Sequence, residues 1–152
     1  MAQRIFLDGD DPALRKKSRE VTVFDERLHR LLDDMHETMT AADGIGLAAV
    51  QVGILRRVVV IDTDGRIELI NPVITQASDE LIVMSEGCLS FPEERVTVPR
   101  PKSVTVSAQD RNGDPFTLTG EDLLARALCH EIDHLDGIVC HDRAVDAPAG
   151  AD

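Results

Sequence analysis

The stretch ALCHEIDHLDG, residues 127–137, carries two histidines four positions apart, with a glutamate directly after the first. On a helix this spacing places the imidazoles of His130 and His134 about one turn apart on the same face. Two imidazoles arranged in this way can bind one metal ion, and Glu131 then lies beside the ion as a candidate general base. The stretch therefore predicts a metal-binding helix, but it leaves the third ligand open.

The composition of the chain limits its possible functions. The 152 residues suit one domain with a real core, and 43% of them are hydrophobic. Because the chain has no Trp and no Tyr, we expect an aliphatic core and no aromatic surface for stacking nucleic-acid bases. The net charge of -12 also argues against a phosphate-binding surface. We expect a single domain at residues 1–145, for which the family resemblance described below implies a catalytic role, and a flexible tail at residues 146–152.

The sequence also gives expectations about location. It contains no apolar run of about 18 residues, so no membrane span is expected. The first residues, MAQRIFLDGDDP, are charged at once and resemble no signal peptide. The three cysteines lack the spacing of a disulfide framework, which is consistent with a reducing compartment. We therefore expect a cytoplasmic protein, and the family resemblance described below implies one of bacterial type.

Hydrophobic periodicity predicts the order of the secondary structure. Leucines and methionines at helical spacing predict a helix over residues 25–41, with Asp25 as its cap. A second helix is predicted over residues 119–135, where Thr119 and Asp122 resemble a capping box. Between the helices, short segments rich in β-branched residues predict six strands, at residues 56–62, 67–74, 80–85, 94–100, 102–110 and 115–120. The order predicts an α+β fold, with mostly antiparallel strands packed around a C-terminal metal-binding helix and with an N-terminal helix.

One candidate for the third ligand lies downstream of the two histidines. Cys140 stands at the third-ligand position of the metzincin spacing, and His141 follows it. A metzincin also needs a methionine turn beneath the metal, but no methionine follows Met84. A small HExxH endopeptidase would use this downstream arrangement.

The other candidate lies upstream, in SEGCLSFP at residues 85–92. Cys88 ends a strand-like run there, and a thiolate at that place could reach a helix packed on the strands. Two imidazoles and one thiolate leave one metal position open for water, which is a catalytic pattern. A structural zinc site would instead need a fourth protein ligand, such as Cys129 or His141. The residues alone leave these alternatives open.

Three segments together resemble the signature motifs of peptide deformylases, in the same order and with similar spacing. These segments are GIGLAAVQVG (44–53), EGCLSFP (86–92) and HEIDHLDG (130–137). The resemblance covers nearly the whole chain, since GDDPALRKKSREV (9–21) and ERVTVPRP (94–101) also look like that family. It implies a metal-dependent hydrolase that removes the N-formyl group from the formylmethionine of nascent polypeptides and releases formate.

The resemblance also implies roles for individual residues. Cys88, His130 and His134 would bind the metal, and Glu131 would be the general base. The Gln51 side-chain amide and the Leu89 backbone N–H would donate to the formyl oxygen. The implied ion is Fe²⁺, with Zn²⁺, Ni²⁺ or Co²⁺ as substitutes, although the ligand set alone suits Zn²⁺ equally well. The residues expected along the bound peptide are Gly44, Ile45, Gly46 and Gly87.

Two positions depart from the commonest family pattern. The residue before Gln51 is often proline and is Val50 here, and the residue before His130 is often glutamine and is Cys129 here. Neither change removes a ligand, the base or an oxyanion donor, so we expect an active enzyme. The implied partners are N-formylmethionyl nascent peptides, which could be met at the ribosome exit. Direct nucleic-acid binding and membrane binding are not expected.

Overall fold

The structure, a computed structural model, describes residues 2–146. The tail predicted at residues 146–152 lies outside the described residues except for Asp146. Within the described range the helices are α1 (Glu26–Ala41) and α2 (Leu123–Leu135), and short 3₁₀ turns occur at Pro12–Arg15, Ala49–Val52 and Cys140–Arg143. The strands are β1 (Gly46–Ala48), β2 (Val58–Asp62), β3 (Arg66–Ala77), β4 (Leu81–Cys88), β5 (Phe91–Pro101), β6 (Ser103–Gln109) and β7 (Pro115–Glu121). This is the α+β fold predicted from the sequence.

The strands form two separate antiparallel sheets. Five strands are hydrogen-bonded in the order β1-β2-β3-β6-β7, and β4 and β5 form a two-stranded sheet. Each of the six predicted strands is present. Strand β1 was not predicted, because its three residues include a glycine and an alanine and are too few to show a period. Its pairing with β2, with Gly46 opposite Ile61, holds it at the edge of the larger sheet.

Helix α1 follows the sequence prediction closely. The Asp25 side chain accepts a hydrogen bond from the Leu28 N–H at 3.2 Å, which confirms the predicted cap. The face with leucines and methionines is buried; Leu32 and Met35 are fully inaccessible to solvent. This face packs against β1 and β2 and forms one of the hydrophobic clusters of the core.

Helix α2 begins later than predicted, and the predicted capping box is wrong. Thr119 belongs to β7, where it pairs with Thr105, and the Asp122 side chain makes no capping hydrogen bond within residues 2–146. The reason is that the ladder between β6 and β7 continues as far as Glu121, so sheet pairing prevails over the local capping pattern. The helix contacts strands of both sheets. No helix in residues 2–146 is both long and apolar enough to cross a membrane.

Candidate metal centre and cleft

Three potential metal ligands converge between helix α2 and the end of β4. Cys88 Sγ lies 3.3 Å from His134 Nε2, and His134 Nε2 lies 3.2 Å from His130 Nε2. The two imidazole rings meet edge to face, with centroids 4.9 Å apart. All three side chains are buried. The structure thus brings together the upstream cysteine and the two histidines of the helix.

The chemistry of these atoms fits a divalent transition metal. His130 Nδ1 donates to Glu86 Oε2 at 2.6 Å, so its Nε2 carries a lone pair in the neutral ring. His134 Nδ1 has no hydrogen-bond partner among the described residues. Lone pairs of two imidazoles and a sulfur atom that point into one small space repel one another unless a cation lies between them. Two nitrogens and a thiolate are a ligand set that suits zinc and iron.

The pKa values of the two imidazoles reflect their burial beside each other and beside charged groups. Burial lowers the pKa of His130, but the Glu131 charge and the hydrogen bonds to Cys88 and Glu86 raise it well above the usual value overall. The pKa of His134 lies well below its usual value because the ring is buried and faces the His130 charge. Both shifts arise because the two rings, the Cys88 sulfur and the Glu131 carboxylate are buried close together.

The downstream alternative for the third ligand is poorly placed. Cys140 Sγ lies within 4.8 Å of a nitrogen of His130 and of the Glu86 carboxylate, but this group does not include His134. His141 contacts Glu94 at 3.2 Å near the surface. The sulfur of Cys129 belongs to neither candidate ligand group within residues 2–146, and burial raises the pKa of its thiol. The geometry thus favours Cys88 over the downstream residues.

A buried carboxylate that the sequence analysis missed holds His130 in place. Glu86 accepts hydrogen bonds from His130 Nδ1 at 2.6 Å, Arg100 Nη2 at 2.7 Å and Arg126 Nη1 at 2.8 Å. Burial alone would raise the pKa of Glu86, but the hydrogen bonds from His130 and Arg100 hold the pKa far below its usual value. Such a carboxylate fixes the tautomer and the orientation of a metal-binding imidazole. The only signal in the sequence was an acidic residue two positions before Cys88 in a strand.

The same network extends to the far side of the helix. Arg100 Nη1 donates to Asp133 Oδ2 at 2.7 Å, and Arg143 Nε donates to the same oxygen at 2.6 Å. Asp133 thus forms ion pairs with both arginines. Arg95, which lies on the same strand as Arg100, instead donates to Ser85. Asp133 is thus a structural partner of the arginines.

Glu131 has the properties of a general base. The residue is only 5% exposed, and its Oε1 has no hydrogen-bond partner among residues 2–146. Its Oε2 lies 4.0 Å from His130 Nε2, and the side chain lines the cleft described below. Burial raises the pKa of Glu131 to about 7. A free carboxylate oxygen with this pKa can both accept and return a proton near neutral pH.

Gly46 makes room for this carboxylate. A Cβ placed on Gly46 would lie 2.7 Å from Glu131 Oε2 and 3.0 Å from its Cγ. The replacement Gly46→Ala should therefore turn the carboxylate and lower kcat by up to about 100-fold, since small misplacements of catalytic groups have effects of this size. Steady-state kinetics on a formylated peptide, the substrate class that the family resemblance implies, checks this result.

The double variant Gly46→Ala/Glu131→Gln is the matched control. If the alanine acts through the carboxylate, it should change kcat little in the Glu131→Gln background. An equal loss of kcat in both backgrounds would show that Gly46 acts on something else.

The side chain of Gln51 is fixed beside the candidate metal ligands. Its Oε1 accepts from the Ala48 N–H at 3.0 Å, which leaves Nε2 to face Ser90 Oγ at 3.2 Å and Cys88 Sγ at 3.5 Å. The residue is 1% exposed. Val50 next to it is fully buried in the core, so packing supports the turn at the position where the family often has proline.

A cleft of about 600 Å³ lies in front of these groups. One wall is the segment that leads into β1, and the opposite wall is β4. Strands β1 and β4 each lie at the edge of their sheet. The cleft is lined by all four residues expected along a bound peptide, namely Gly44, Ile45, Gly46 and Gly87. The exposed apolar side chains of Met84 and Leu123 also line it. An extended peptide placed between two open strand edges can pair its main chain with them.

Comparison with known proteins relates the chain to one family. A family model described as polypeptide deformylase matches residues 3–148. The peptide deformylase of Acetivibrio thermocellus is 55% identical over 146 residues, which are 95% of this chain and 85% of that protein. The peptide deformylase of Alkaliphilus metalliredigens is 54% identical over 147 residues, covering 95% of this chain and 99% of that protein.

Solved structures show the same similarity. The crystal structure of peptide deformylase from Thermotoga maritima has a TM-score of 0.94 at 41% identity, over 96% of this chain and 100% of that chain. A peptide deformylase from Synechococcus elongatus in complex with actinonin has a TM-score of 0.92 at 40% identity, over 96% of this chain and 81% of that chain.

Proposed function

Because the chain belongs to the peptide deformylase family, we propose that Cys88, His130 and His134 bind the metal ion of its active site. The chain is a metal-dependent hydrolase that removes the N-formyl group from nascent polypeptides. The observation that best supports the ligand assignment is the closeness of the three ligand atoms. His134 Nε2 lies 3.3 Å from Cys88 Sγ and 3.2 Å from His130 Nε2.

Formamide hydrolysis needs an activated water and a stabilised oxyanion. When bound, the metal supplies a Lewis acid that makes water acidic enough to lose a proton near neutral pH. Glu131 Oε1 accepts that proton, because it is a buried acceptor without a partner among residues 2–146 and its carboxyl has a pKa of about 7. The same carboxyl group then returns the proton to the leaving α-amine of the peptide.

Two donors stabilise the negative charge that develops on the formyl oxygen. Gln51 Nε2 is one, and the backbone N–H of Leu89, in the turn that follows Cys88, is the other. The hydrogen bond from Ala48 to Gln51 Oε1 fixes the amide before the substrate arrives. Donors that are oriented in advance need no reorganisation during the reaction, which is why they lower the barrier.

The substrate peptide lies along the cleft in an extended conformation. Its main chain pairs with the backbone around Gly44, Ile45 and Gly46 on one side and around Gly87 on the other. The methionine side chain enters the apolar part of the cleft, where Ile45, Leu123 and Ala127 are lining residues. Gly44 lets Leu89 approach closely, since a Cβ there would lie 2.7 Å from Leu89 Cδ1.

We assign Fe²⁺ as the native ion, with Zn²⁺, Ni²⁺ and Co²⁺ as substitutes. The ligand set supports any borderline-soft divalent metal, and the choice of iron rests on the family resemblance. The reaction is placed in the bacterial cytoplasm, where N-formylmethionyl chains emerge from the ribosome exit. The net charge of -12 favours an encounter of enzyme and nascent peptide by diffusion over direct binding of the enzyme to ribosomal RNA.

Formate release from a formylated peptide tests the proposal. The protein is purified without oxygen, its metal content is measured, and formate is followed with formyl-Met-Ala-Ser and, as a control, with the acetyl peptide. We expect about one metal ion per chain, as in a three-ligand catalytic site, and formate from the formyl peptide alone. Metal without formate release would refute the proposed catalytic roles, and formate release by metal-free protein would refute the proposed metal site.

A further inference from the structure

We infer that the N-terminal segment, residues 2–11, positions both oxyanion donors, with Leu7 and Gly9 as its points of contact. The inference rests on the proposed roles of Gln51 and Leu89. It adds positioning residues that lie outside the three signature segments and do not line the cleft.

The first contact fixes the turn that carries Gln51. The Leu7 N–H donates to the Gln51 carbonyl oxygen at 2.7 Å. The Leu7 side chain packs against the main hydrophobic cluster, which includes Val50. This hydrogen bond therefore ties the backbone of residue 51 to the N-terminal segment, while the bond from Ala48 fixes its side chain.

The second contact fixes Phe91. A Cβ placed on Gly9 would lie 2.6 Å from Phe91 Cζ and closer still to two other ring atoms. Gly9 is not among the glycines with positive φ, so its backbone could be adopted by any residue. Glycine is needed here for space, because the segment passes directly over the aromatic ring. On another side the same ring packs against His141, with centroids 4.5 Å apart.

Phe91 in turn determines the place of the second donor. It is the pairing partner of Cys88 where β4 passes into β5, and only Leu89 and Ser90 lie between them. That short turn holds the Leu89 N–H, and it also holds the Ser90 hydroxyl that accepts from Gln51 Nε2. A displacement of Phe91 that reaches its backbone would therefore shift the turn that carries the Leu89 N–H and the Ser90 partner of Gln51.

The segment cannot easily move away from the ring, because it is attached on both sides. Before Leu7, the Ala2 N–H donates to Asp34 at 2.7 Å and the Arg4 N–H donates to Thr38 at 2.8 Å, both on α1. After Gly9, Leu14 is fully buried in the core. A larger residue at position 9 must consequently displace Phe91.

The variants Gly9→Val, Phe91→Leu and the double variant test the inference. Gly9→Val should lower kcat for formyl-Met-Ala-Ser by about tenfold and leave KM within about twofold, since the donors act mainly in the transition state. The smaller residue at position 91 should restore kcat in the double variant to within about threefold of the wild type. Metal content and the thermal unfolding midpoint are measured for every variant.

Gly65→Ala is the matched control. Gly65 has a φ of +116, and no atom of the described residues lies within 4 Å of an added Cβ. The change therefore strains a distant hairpin and should lower stability without changing kcat. If Gly9→Val fails to fold, Gly9→Ala provides the same comparison with a smaller clash.

The outcomes separate the inference from the proposed function. A folded, metal-loaded Gly9 variant with wild-type kcat, or a kcat loss that Phe91→Leu does not relieve, would overturn the inference alone. A wild-type protein that holds metal and releases no formate would overturn the proposed function on which the inference rests.

Discussion

Replacing Glu131 by glutamine should lower kcat for formyl-Met-Ala-Ser by about 10²- to 10⁴-fold, the range expected for loss of a general base. Glutamine has nearly the same shape but cannot accept the proton of the attacking water. The metal content should stay unchanged, because Glu131 is not one of the three converging ligand atoms. Steady-state kinetics together with metal analysis of the purified variant checks both expectations.

The stability of the metal-free protein gives an independent control on Glu131. Burial raises the pKa of this carboxyl from 4.5 to about 7, so the folded state binds a proton more tightly than the unfolded state. Relative to Glu131→Gln, the free energy of unfolding of the wild type should therefore fall as the pH rises from 4.5 to about 7, since the other titrating groups are present in both proteins. A variant that keeps most of the wild-type kcat would contradict the assignment of Glu131 as the base.

The variant Glu86→Gln should lose about 3–5 kcal/mol of stability, the usual cost of breaking a buried ion pair from one side. The change leaves Arg100 and Arg126, which are 3% and 6% exposed, without their shared carboxylate. It also removes the charged acceptor of His130 Nδ1, so metal affinity should fall by about 10- to 100-fold. Chemical denaturation and metal competition by a chelator measure the two effects.

The pH dependence of the unfolding free energy distinguishes the loss of the Glu86 ion pairs from general damage to the fold. Glu86 has a pKa below its usual 4.5 in the folded protein, so its contribution to stability is present above pH 4.5 and is lost as the pH falls below it. The difference in unfolding free energy between wild type and Glu86→Gln should thus narrow in acid. Glu80→Gln, an exposed change, should shift stability by less than about 0.5 kcal/mol. A constant difference at all pH values would contradict this role of Glu86.

The periodicity of the sequence was sufficient for most of the fold. Helix α1 and its cap at Asp25 follow from local pattern, and so do the six longer strands. Strand β1 and the start of α2 do not follow from local pattern, because both depend on pairing with another strand. Glycine and alanine carry no β signal at Gly46–Ala48, and Thr119 has a capping pattern that only the pairing with β6 overrides.

The site shows the same division between local and tertiary information. His130, Glu131 and His134 form one local motif, so the helix alone predicts their common face. The residues left the choice between Cys88 and Cys140 open, because it depends on which strand packs on the helix. Only the family resemblance indicated Cys88 beforehand. Glu86 and Gly9 were missed, since no spacing in the chain tells which acid is buried or which glycine lies over an aromatic ring.

The most direct test compares Cys88→Ser and Cys140→Ser with the wild type, all purified without oxygen. Metal per chain and formate release from formyl-Met-Ala-Ser are measured for the three proteins in parallel. The ligand assignment predicts that Cys88→Ser loses its metal or its activity, whereas Cys140→Ser keeps both within about twofold of the wild type, as expected for a residue that is not a ligand. Retention of metal and activity by Cys88→Ser, with loss in Cys140→Ser, would place the third ligand downstream of the helix and contradict the proposed metal centre.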